Sequence, residues 1–246
     1  MHSIPIRRII WKERVMIMQE IRIFPLGDSP ALPFAAKTLK RWGFTLLSSG
    51  ETATHILMNV PNQMDLEFLP PQGTIIGSKL DSIPDTYRKI DLLHDEWYLA
   101  ENAALTADCA LRLLGQRLPV AFRDCPVLVI GWGRIGKCLA SLLKGVGCDV
   151  TVAARKAADR EILRVLDYEA VDIPQIQPER YEAILNTAPA SVLPDSGGEC
   201  VKIDLASVLG MAGENVLWAR GLPGKMLPET AGQLLAQGAL RYLQEG

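Results

Sequence analysis

The sequence predicts an α/β protein with a Rossmann-type doubly wound parallel sheet and a smaller flavodoxin-like α/β lobe at its N-terminus. Short apolar strands alternate with helical patterns along the chain, which is typical of βαβ units. A glycine-rich loop directly follows the most apolar of these strands. The length of 246 residues suits one large or two modest domains. We therefore expect two lobes, of which the second is the Rossmann domain.

The first lobe is predicted from alternating apolar residues that end at turn residues. Its elements are strands at residues 20–25, 44–47, 55–60 and 74–77 and a helix at 35–42. A long helical pattern over residues 92–114 follows. We place the lobe at residues 19–100, a connecting helix at 101–122, and an extension outside the fold at 1–18.

The second lobe carries the clearer pattern. Its predicted strands cover residues 126–130, 148–153, 183–186 and 201–204, and its helices cover 131–144 and 160–166. A last helix begins near Pro228, since proline suits the first helical position. We place the dinucleotide-binding domain at residues 123–225 and expect the segment 226–246 to return to the first lobe.

Composition excludes several function classes. Apolar residues make up 48% of the chain, which argues against disorder, and 26 Lys and Arg balance 28 Asp and Glu, which leaves no electrostatic footprint for nucleic acid. No apolar run reaches the ~20 residues of a membrane helix. Five cysteines, without a CxxC motif, and three histidines match no metal spacing. Reduced thiols and a cytoplasmic protein are expected, with no metal.

The glycine loop predicts a dinucleotide site. It reads Gly-Trp-Gly-Arg-Ile-Gly, follows an apolar strand and opens a helix, which is the context that the fingerprint requires. The first glycine permits the tight turn, the second lets the backbone approach the pyrophosphate, and the third lets helix and strand pack closely. The alternative is a glycine turn without a ligand. The expected cofactor-binding residues are Gly131, Trp132, Gly133, Arg134, Ile135 and Gly136, with Arg134 serving the pyrophosphate.

The end of the next strand favours NADP over NAD. A carboxylate is expected about 20 residues after the loop to hold the ribose 2′-hydroxyl of NAD. Ala154, Arg155 and Lys156 stand there instead. A carboxylate would repel a 2′-phosphate, whereas the two cations can pair with it. The alternative is that both cations are solvated surface charges.

Two further strand ends fall at the edge where ligands bind in doubly wound sheets. Thr187, Ala188 and Pro189 follow one strand, and they form either part of the cofactor site or an ordinary turn. Leu205, Ala206 and Ser207 follow the next and are assigned to the cofactor site too. Asp204, which ends that strand, is either a functional acid or a cap.

Several segments occur together in an order that points to one family. They are residues 101–108, 127–136, 154–155, 186–189, 203–207 and 221–232. The order of these segments and their amino-acid sequences resemble the family of the dipicolinate synthase A subunit over about residues 100–240. The segment 221–232 is the most specific, because generic dehydrogenases lack it.

The resemblance implies an architecture similar to that of D-2-hydroxyacid dehydrogenases. It also implies an NADP-linked oxidation of dihydrodipicolinate to dipicolinate during sporulation, with a small dicarboxylate as substrate. The flavoprotein-like B subunit of dipicolinate synthase is the implied partner, and a homodimer is expected.

Substrate recognition requires groups that hold a dicarboxylate at hydride distance from the cofactor. Lys225, on a glycine-flanked loop, is the predicted carboxylate anchor; the alternative is an exposed loop lysine. Asn102 and Thr106 lie four residues apart on a helix and share a face, where they either line a cleft or bond the local backbone. His94 is more simply a surface histidine than an acid or base.

Two other functions are weighed against this one. D-2-hydroxyacid dehydrogenases use a His–Glu pair with an Arg, but no histidine follows His94, and Ser207 stands near the expected Arg. A non-catalytic NADP-binding subunit or sensor is the second alternative. Ser29 in place of the family's Arg, and a first lobe that is shorter than the family's, motivate it; Asp108 in place of the family's Glu is a further departure.

Overall fold

The computed structural model describes residues 20–58, 69–70, 72–193, 200–213 and 215–243. The predicted extension at residues 1–18 lies outside them. The chain divides into two compact units. The first unit comprises the described residues up to 99 and those from 224 onward, and the second unit comprises those from 100 to 223.

The first unit contains a parallel five-stranded sheet. Its elements are β1 (Arg22–Pro25), α1 (Leu32–Arg41), β2 (Thr45–Leu46), β3 (His55–Leu57), β4 (Thr74–Gly77) and β5 (Arg88–Asp91). The strand order is β2-β1-β3-β4-β5, and every neighbouring pair is parallel. This is the flavodoxin-like order, so the predicted class of the first lobe is confirmed.

The second unit follows through a long helix that begins in the first. Its elements are α2 (Glu96–Gly115), β6 (Pro126–Ile130), α3 (Arg134–Gly145), β7 (Asp149–Ala153), α4 (Ala157–Val165), β8 (Glu169–Val171), β9 (Ala183–Asn186), β10 (Val201–Asp204) and β11 (Val216–Trp218). The sheet order β11-β10-β9-β6-β7-β8 is all parallel and is the doubly wound Rossmann order. The predicted fold class is therefore confirmed here too.

The strands at the centre of this sheet are buried on both faces. Val127, Leu128, Val129 and Ile130 are each fully inaccessible. β6 is a continuous apolar run and β9 has three apolar residues in succession, so the sequence located both with their exact ends. The ends of β10 were also predicted, although Lys202 lies within it. The pattern did not predict β5, β8 and β11, which are edge strands.

The connecting helix begins later than its pattern. A single 3-10 turn occupies Leu92–His94, and α2 starts at Glu96. Asp95 accepts a hydrogen bond from the Tyr98 N–H at 3.1 Å, which satisfies one free donor of the first helical turn. The helix ends at Gly115, one residue beyond the predicted helical pattern.

The chain ends with α5 (Leu222–Met226) and α6 (Pro228–Leu243). In the first unit α6 packs against α1. Gly232 allows the close approach, since a Cβ there would overlap the Ala31 carbonyl oxygen and lie 2.6 Å from the Phe34 Cβ. Arg241 Nε and the Tyr242 hydroxyl each donate to the buried Asp95 carboxylate at 3.0 Å, which ties the end of α6 to the start of α2.

Candidate functional site

The predicted cofactor residues follow the strands β6, β7, β9 and β10, whose ends lie side by side at the carboxyl edge of the second unit's sheet. Ile130 is in register with Asn186 on one side and with Ala153 on the other. Asn186 is in register with Asp204, and Asp204 with Trp218. The chain moves outward from β6 in both directions, so β6 and β9 form the topological switch point at which such sheets bind ligands.

The glycine loop follows β6 and enters α3. Gly131 has φ 102°, a conformation that favours glycine, and its N–H donates to the Ala153 carbonyl at 2.9 Å. A Cβ at Gly136 would overlap the Gly131 carbonyl oxygen, so helix and turn require glycine at that position. A Cβ at Gly133 would meet no atom within 4 Å. The first and third glycines thus shape the turn, while the second faces open space that a ligand can enter.

α3 begins directly after Gly133, so its first backbone amides lie beside the same glycine. Gly133 is the N-cap and supplies no side chain to bond them. Arg134 is exposed and Ile135 is half-buried at the start of the helix. The N-terminus of a helix carries partial positive charge and free N–H donors, which suit a phosphate.

Trp132 is placed differently from its neighbours. Its ring packs edge-on against Tyr168, with centroids 5.9 Å apart. The Lys137 ammonium lies 5.8 Å from the same ring. The side chain is therefore engaged with Tyr168 and Lys137, and Trp132 offers the loop chiefly its backbone.

Thr187 joins the β9 loop to the glycine loop. Its hydroxyl donates to the Ile130 carbonyl at 2.9 Å, and its N–H donates to the same oxygen at 2.8 Å. A Cβ on Gly131 would come within 2.6 Å of the Thr187 hydroxyl oxygen. Thr187, predicted as a cofactor-binding residue, thus also holds the β9 loop against the glycine loop. Ala188 is half-buried beside it and Pro189 is exposed.

Asp204 caps the loop that follows β10. Of the two roles that the sequence left open, a functional acid or a cap, the hydrogen bonds favour the cap. Its carboxylate is fully buried and accepts from the N–H groups of Ala206, Gly210 and Met211 at 2.9, 2.8 and 3.1 Å. The Asn186 side-chain amide donates to it at 3.0 Å. Leu205 and Ala206 are buried on this loop and Ser207 is exposed.

Asn186 extends the network to the β9 loop. Its side-chain oxygen accepts from the Ala188 N–H at 2.9 Å, and its nitrogen also donates to the Ala188 carbonyl at 3.1 Å. The loops after β9 and β10 are therefore held by one buried polar pair. Asn186 was not predicted as a site residue, although its position at the end of an apolar strand is the signal that could have identified it.

At the end of β7 the predicted cations are free for a ligand. Ala154 is buried, and Arg155 and Lys156 are exposed. No described carboxylate lies within 4.0 Å of either side chain. Arg160, which the sequence analysis missed, donates to the Ala154 and Arg155 carbonyls at 2.6 and 2.9 Å and pairs with Asp172. Arg160 thus holds the turn, while Arg155 and Lys156 point their charge into solvent.

The predicted catalytic residues lie in different units. Asn102 and Thr106 belong to the second unit, and Lys225 belongs to the first. The Thr106 hydroxyl donates to the Asn102 carbonyl at 2.7 Å, as a buried threonine in a helix often does. Asn102 is half-buried, and Lys225 and His94 are exposed.

Other kinds of site find little support. Within the described ranges, no three His, Cys, Asp or Glu side chains gather as metal ligands. No helix in the part of the chain that the structure describes combines the length and apolar character needed to cross a bilayer. A pocket of about 460 Å³ lies at the amino ends of β7 and β8, lined by side chains such as Lys144, Asp149 and Tyr168, and it contains none of the predicted site residues.

Comparisons with known proteins support the family resemblance. No protein-family model matches the chain. The A subunit of dipicolinate synthase from Bacillus subtilis (strain 168) is 28% identical over 161 residues, which cover 58% of this chain and 54% of that protein. The matched region therefore spans about half the length of this curated relative.

Solved structures share the whole fold. The crystal structure of the dipicolinate synthase A subunit from Bacillus halodurans superposes with a TM-score of 0.78 at 19% identity, covering 93% of this chain and 99% of that one. L-alanine dehydrogenase superposes with a TM-score of 0.63 at 12% identity, covering 91% and 89%. The chain thus resembles the A subunit of dipicolinate synthase, and it has the fold of nicotinamide-dependent dehydrogenases.

Proposed function

We propose that this relative of the dipicolinate synthase A subunit is an NADP-dependent oxidoreductase that converts dihydrodipicolinate to dipicolinate during sporulation. The observation that carries the proposal is the carboxyl edge of the second unit. There a shaped glycine loop leads into a helix N-terminus with open space at Gly133, and two exposed cations follow the neighbouring strand. The relative's name supports the choice of reaction.

The residues present fit a dinucleotide. Gly131 and Gly136 leave no room for a Cβ, while Gly133 leaves open space at the start of α3. Arg155 and Lys156 stand where an NAD-specific protein would carry an acid, which favours NADP. When bound, the cofactor supplies a nicotinamide that accepts a hydride.

The chain's own task is to hold the substrate and the cofactor in register. Oxidation of a dihydropyridine-type ring yields an aromatic product, so the demand on an acid or base is modest. A substrate with two carboxylates needs cations and N–H donors instead. We assign Lys225 to a carboxylate, and Asn102 and Thr106 to the substrate. Because the Thr106 hydroxyl already donates to Asn102, its oxygen is the part that can accept a further bond.

Partners and location belong to the same proposal. The relative's name describes one component of a larger enzyme, and we propose the flavoprotein-like B subunit of dipicolinate synthase for the partner of this chain, which itself forms a homodimer. All five cysteines are free thiols, which supports a reducing compartment, and we propose the cytoplasm.

A non-catalytic NADP-binding subunit or sensor is the second candidate. Ser29 stands where the family carries an Arg in the first turn. Its hydroxyl oxygen accepts from the Ala31 N–H at 3.3 Å, and its carbonyl accepts from the Leu32 N–H at 3.0 Å. Ser29 therefore initiates α1 and brings no positive charge to that turn.

The test is a titration of the purified chain with NADPH and NADH, followed by dihydrodipicolinate and NADP with and without the B subunit. We expect preferential binding of NADPH and absorbance of the product dipicolinate. Tight NADPH binding without product in either setting favours the second candidate. Absence of binding for both nucleotides would refute both.

A further inference from the structure

The last strand end of the row carries a side-chain pair that the proposed function has not used. Trp218 ends β11, and the Arg220 guanidinium carbon lies 5.0 Å from the centre of its ring. Trp218 is 42% exposed although it is a large aromatic residue. Both residues belong to the second unit and follow the strand next to β10.

The tryptophan is fixed in place. Its indole N–H donates to the Ala206 carbonyl at 3.0 Å, on the loop that the buried Asp204 carboxylate organises. The next N–H, that of Ala219, donates to the Asp204 carbonyl at 2.8 Å. The ring is thus attached to the rigid part of the edge, with one face against Arg220.

The arginine keeps its donors available. A guanidinium that lies over an aromatic ring can still donate its N–H groups to a carboxylate. Arg220 is exposed, and among the described residues no carboxylate lies within 4.0 Å of it. Val208 and Leu209, on the loop after β10, are also exposed, at 58% and 45%. The edge therefore combines apolar surface, a π-face and one cation.

From this arrangement we infer that Trp218 and Arg220 form the recognition site for a planar ring carboxylate. The inference rests on the proposed function for its place in the reaction, because the nicotinamide half of a dinucleotide binds on the β9–β10 side of the switch point. Arg220 pairs with a ring carboxylate, and the apolar edge with Trp218 contacts the ring. This names a carboxylate anchor within the second unit and makes the pair a specificity determinant.

The experiment is calorimetric titration of the NADPH-loaded full chain with pyridine-2,6-dicarboxylate, benzoate and uncharged pyridine. We expect Arg220→Gln to weaken binding of the dicarboxylate by ~10-fold or more, because a charge-assisted bond is lost. Trp218→Leu should weaken it by ~3- to 10-fold, and Trp218→Phe should retain most of the affinity. Arg180→Gln, which removes an exposed arginine paired with Glu169, is the matched control and should bind as wild type.

The outcomes separate the two proposals. If pyridine-2,6-dicarboxylate fails to bind but benzoate binds in an Arg220-dependent way, the recognition site stands and the proposed substrate is wrong. If the dicarboxylate binds equally to wild type and Arg220→Gln, the recognition site is refuted and the proposed function survives. Loss of B-subunit binding in Arg220→Gln, with unchanged ligand affinity, would likewise refute it and assign the pair to a protein interface.

Discussion

The carboxyl edge of the second unit is built in two different ways on the two sides of the glycine loop. On the β9–β10 side, the polar side chains Asn186 and Asp204 are fully buried and bonded to each other and to backbone N–H groups. On the β7 side, Arg155 and Lys156 are exposed, and the Arg160 side chain bonds the backbone of the turn.

The difference shows what each side can contribute. A buried carboxylate with four donors fixes the shape of two loops and cannot easily change its partner. Exposed cations add little to stability, but they are ready to pair with a phosphate. We therefore expect substitutions on the first side to change folding and substitutions on the second side to change which nucleotide binds.

Asp204→Ala should produce the largest effect. It leaves three backbone N–H groups and the Asn186 amide without their acceptor in a buried site. The free energy of unfolding should fall by at least ~3 kcal/mol, measured by urea denaturation with far-UV circular dichroism. Asp204→Asn keeps one acceptor oxygen, so its free energy of unfolding should lie between those of wild type and Asp204→Ala.

The control is Glu161→Ala on α4. That carboxylate is largely exposed and pairs only with the neighbouring Arg164 in the described chain, so its loss should cost less than ~1 kcal/mol. An Asp204→Ala protein as stable as wild type would mean that the buried network does not hold the two loops.

Gly136→Ala tests the loop between the two sides. The new Cβ would overlap the Gly131 carbonyl oxygen, so the turn must move. We expect a loss of stability of ~1–3 kcal/mol and a clear loss of NADPH affinity. Gly145→Ala, at the other end of α3, meets no atom within 4 Å and should leave both unchanged.

Gly133→Ala separates folding from binding. Its φ of −82° suits any residue, and the added methyl group meets nothing within 4 Å. The unfolding midpoint should therefore match that of wild type, while NADPH affinity, measured by fluorescence titration, falls ~10-fold or more if the pyrophosphate lies against this backbone. Unchanged affinity would move the phosphate away from the second glycine.

Arg155→Asp addresses the exposed side alone. It should leave the free energy of unfolding, measured by urea denaturation, within ~0.5 kcal/mol of wild type, since the side chain is exposed and unpaired among the described residues. NADPH should weaken at least ~10-fold relative to NADH, because a carboxylate repels the 2′-phosphate. An equal loss for both nucleotides would remove Arg155 from the 2′-phosphate site.

How much of the fold the sequence predicts depends on where a strand lies. β4, β6 and β9 were predicted with exact ends, because they lie inside their sheets and consist mainly of apolar residues. β10 was predicted with exact ends too, although Lys202 interrupts its apolar residues. The edge strand β5 reads Arg-Lys-Ile-Asp and has one buried residue. Edge strands of this kind carry no apolar run. Their strand conformation depends on hydrogen bonds to the neighbouring strand, which the local sequence does not reveal.

The site divides in the same way. The glycine loop was predicted because its spacing follows from local backbone geometry. Asn186, Arg160 and the Trp218–Arg220 pair were not, since each acts through a partner far away in sequence or across a strand boundary. Trp132 shows the converse: its place in the motif was predicted, whereas its contact with Tyr168 depends on the turn before β8.

The first unit offers a weaker counterpart of Asp204. Asp95 is also buried, and burial alone would raise its pKa, but the bonds from the Tyr98 N–H, the Tyr242 hydroxyl and Arg241 together lower it. A carboxyl whose pKa is lower in the folded than in the unfolded chain stabilises the fold fully above its unfolded value, near ~3.9. That stabilisation is lost as the pH falls through the lower, folded value.

We therefore expect the free energy of unfolding to decrease as the pH is lowered below about 4. The decrease per pH unit should be smaller in Asp95→Asn. At pH 7 the variant should lose only ~1 kcal/mol, because the Arg241 partner is half-exposed and screened by water. Urea denaturation across pH would measure both. Asp81→Asn is the control, since that side chain is exposed and forms no ion pair with the described residues. The same dependence of unfolding free energy on pH in wild type and Asp95→Asn would show that α6 is held by its packing against α1 and not by this carboxylate. Stabilisation by a buried carboxylate would then be a property of the second unit, through Asp204.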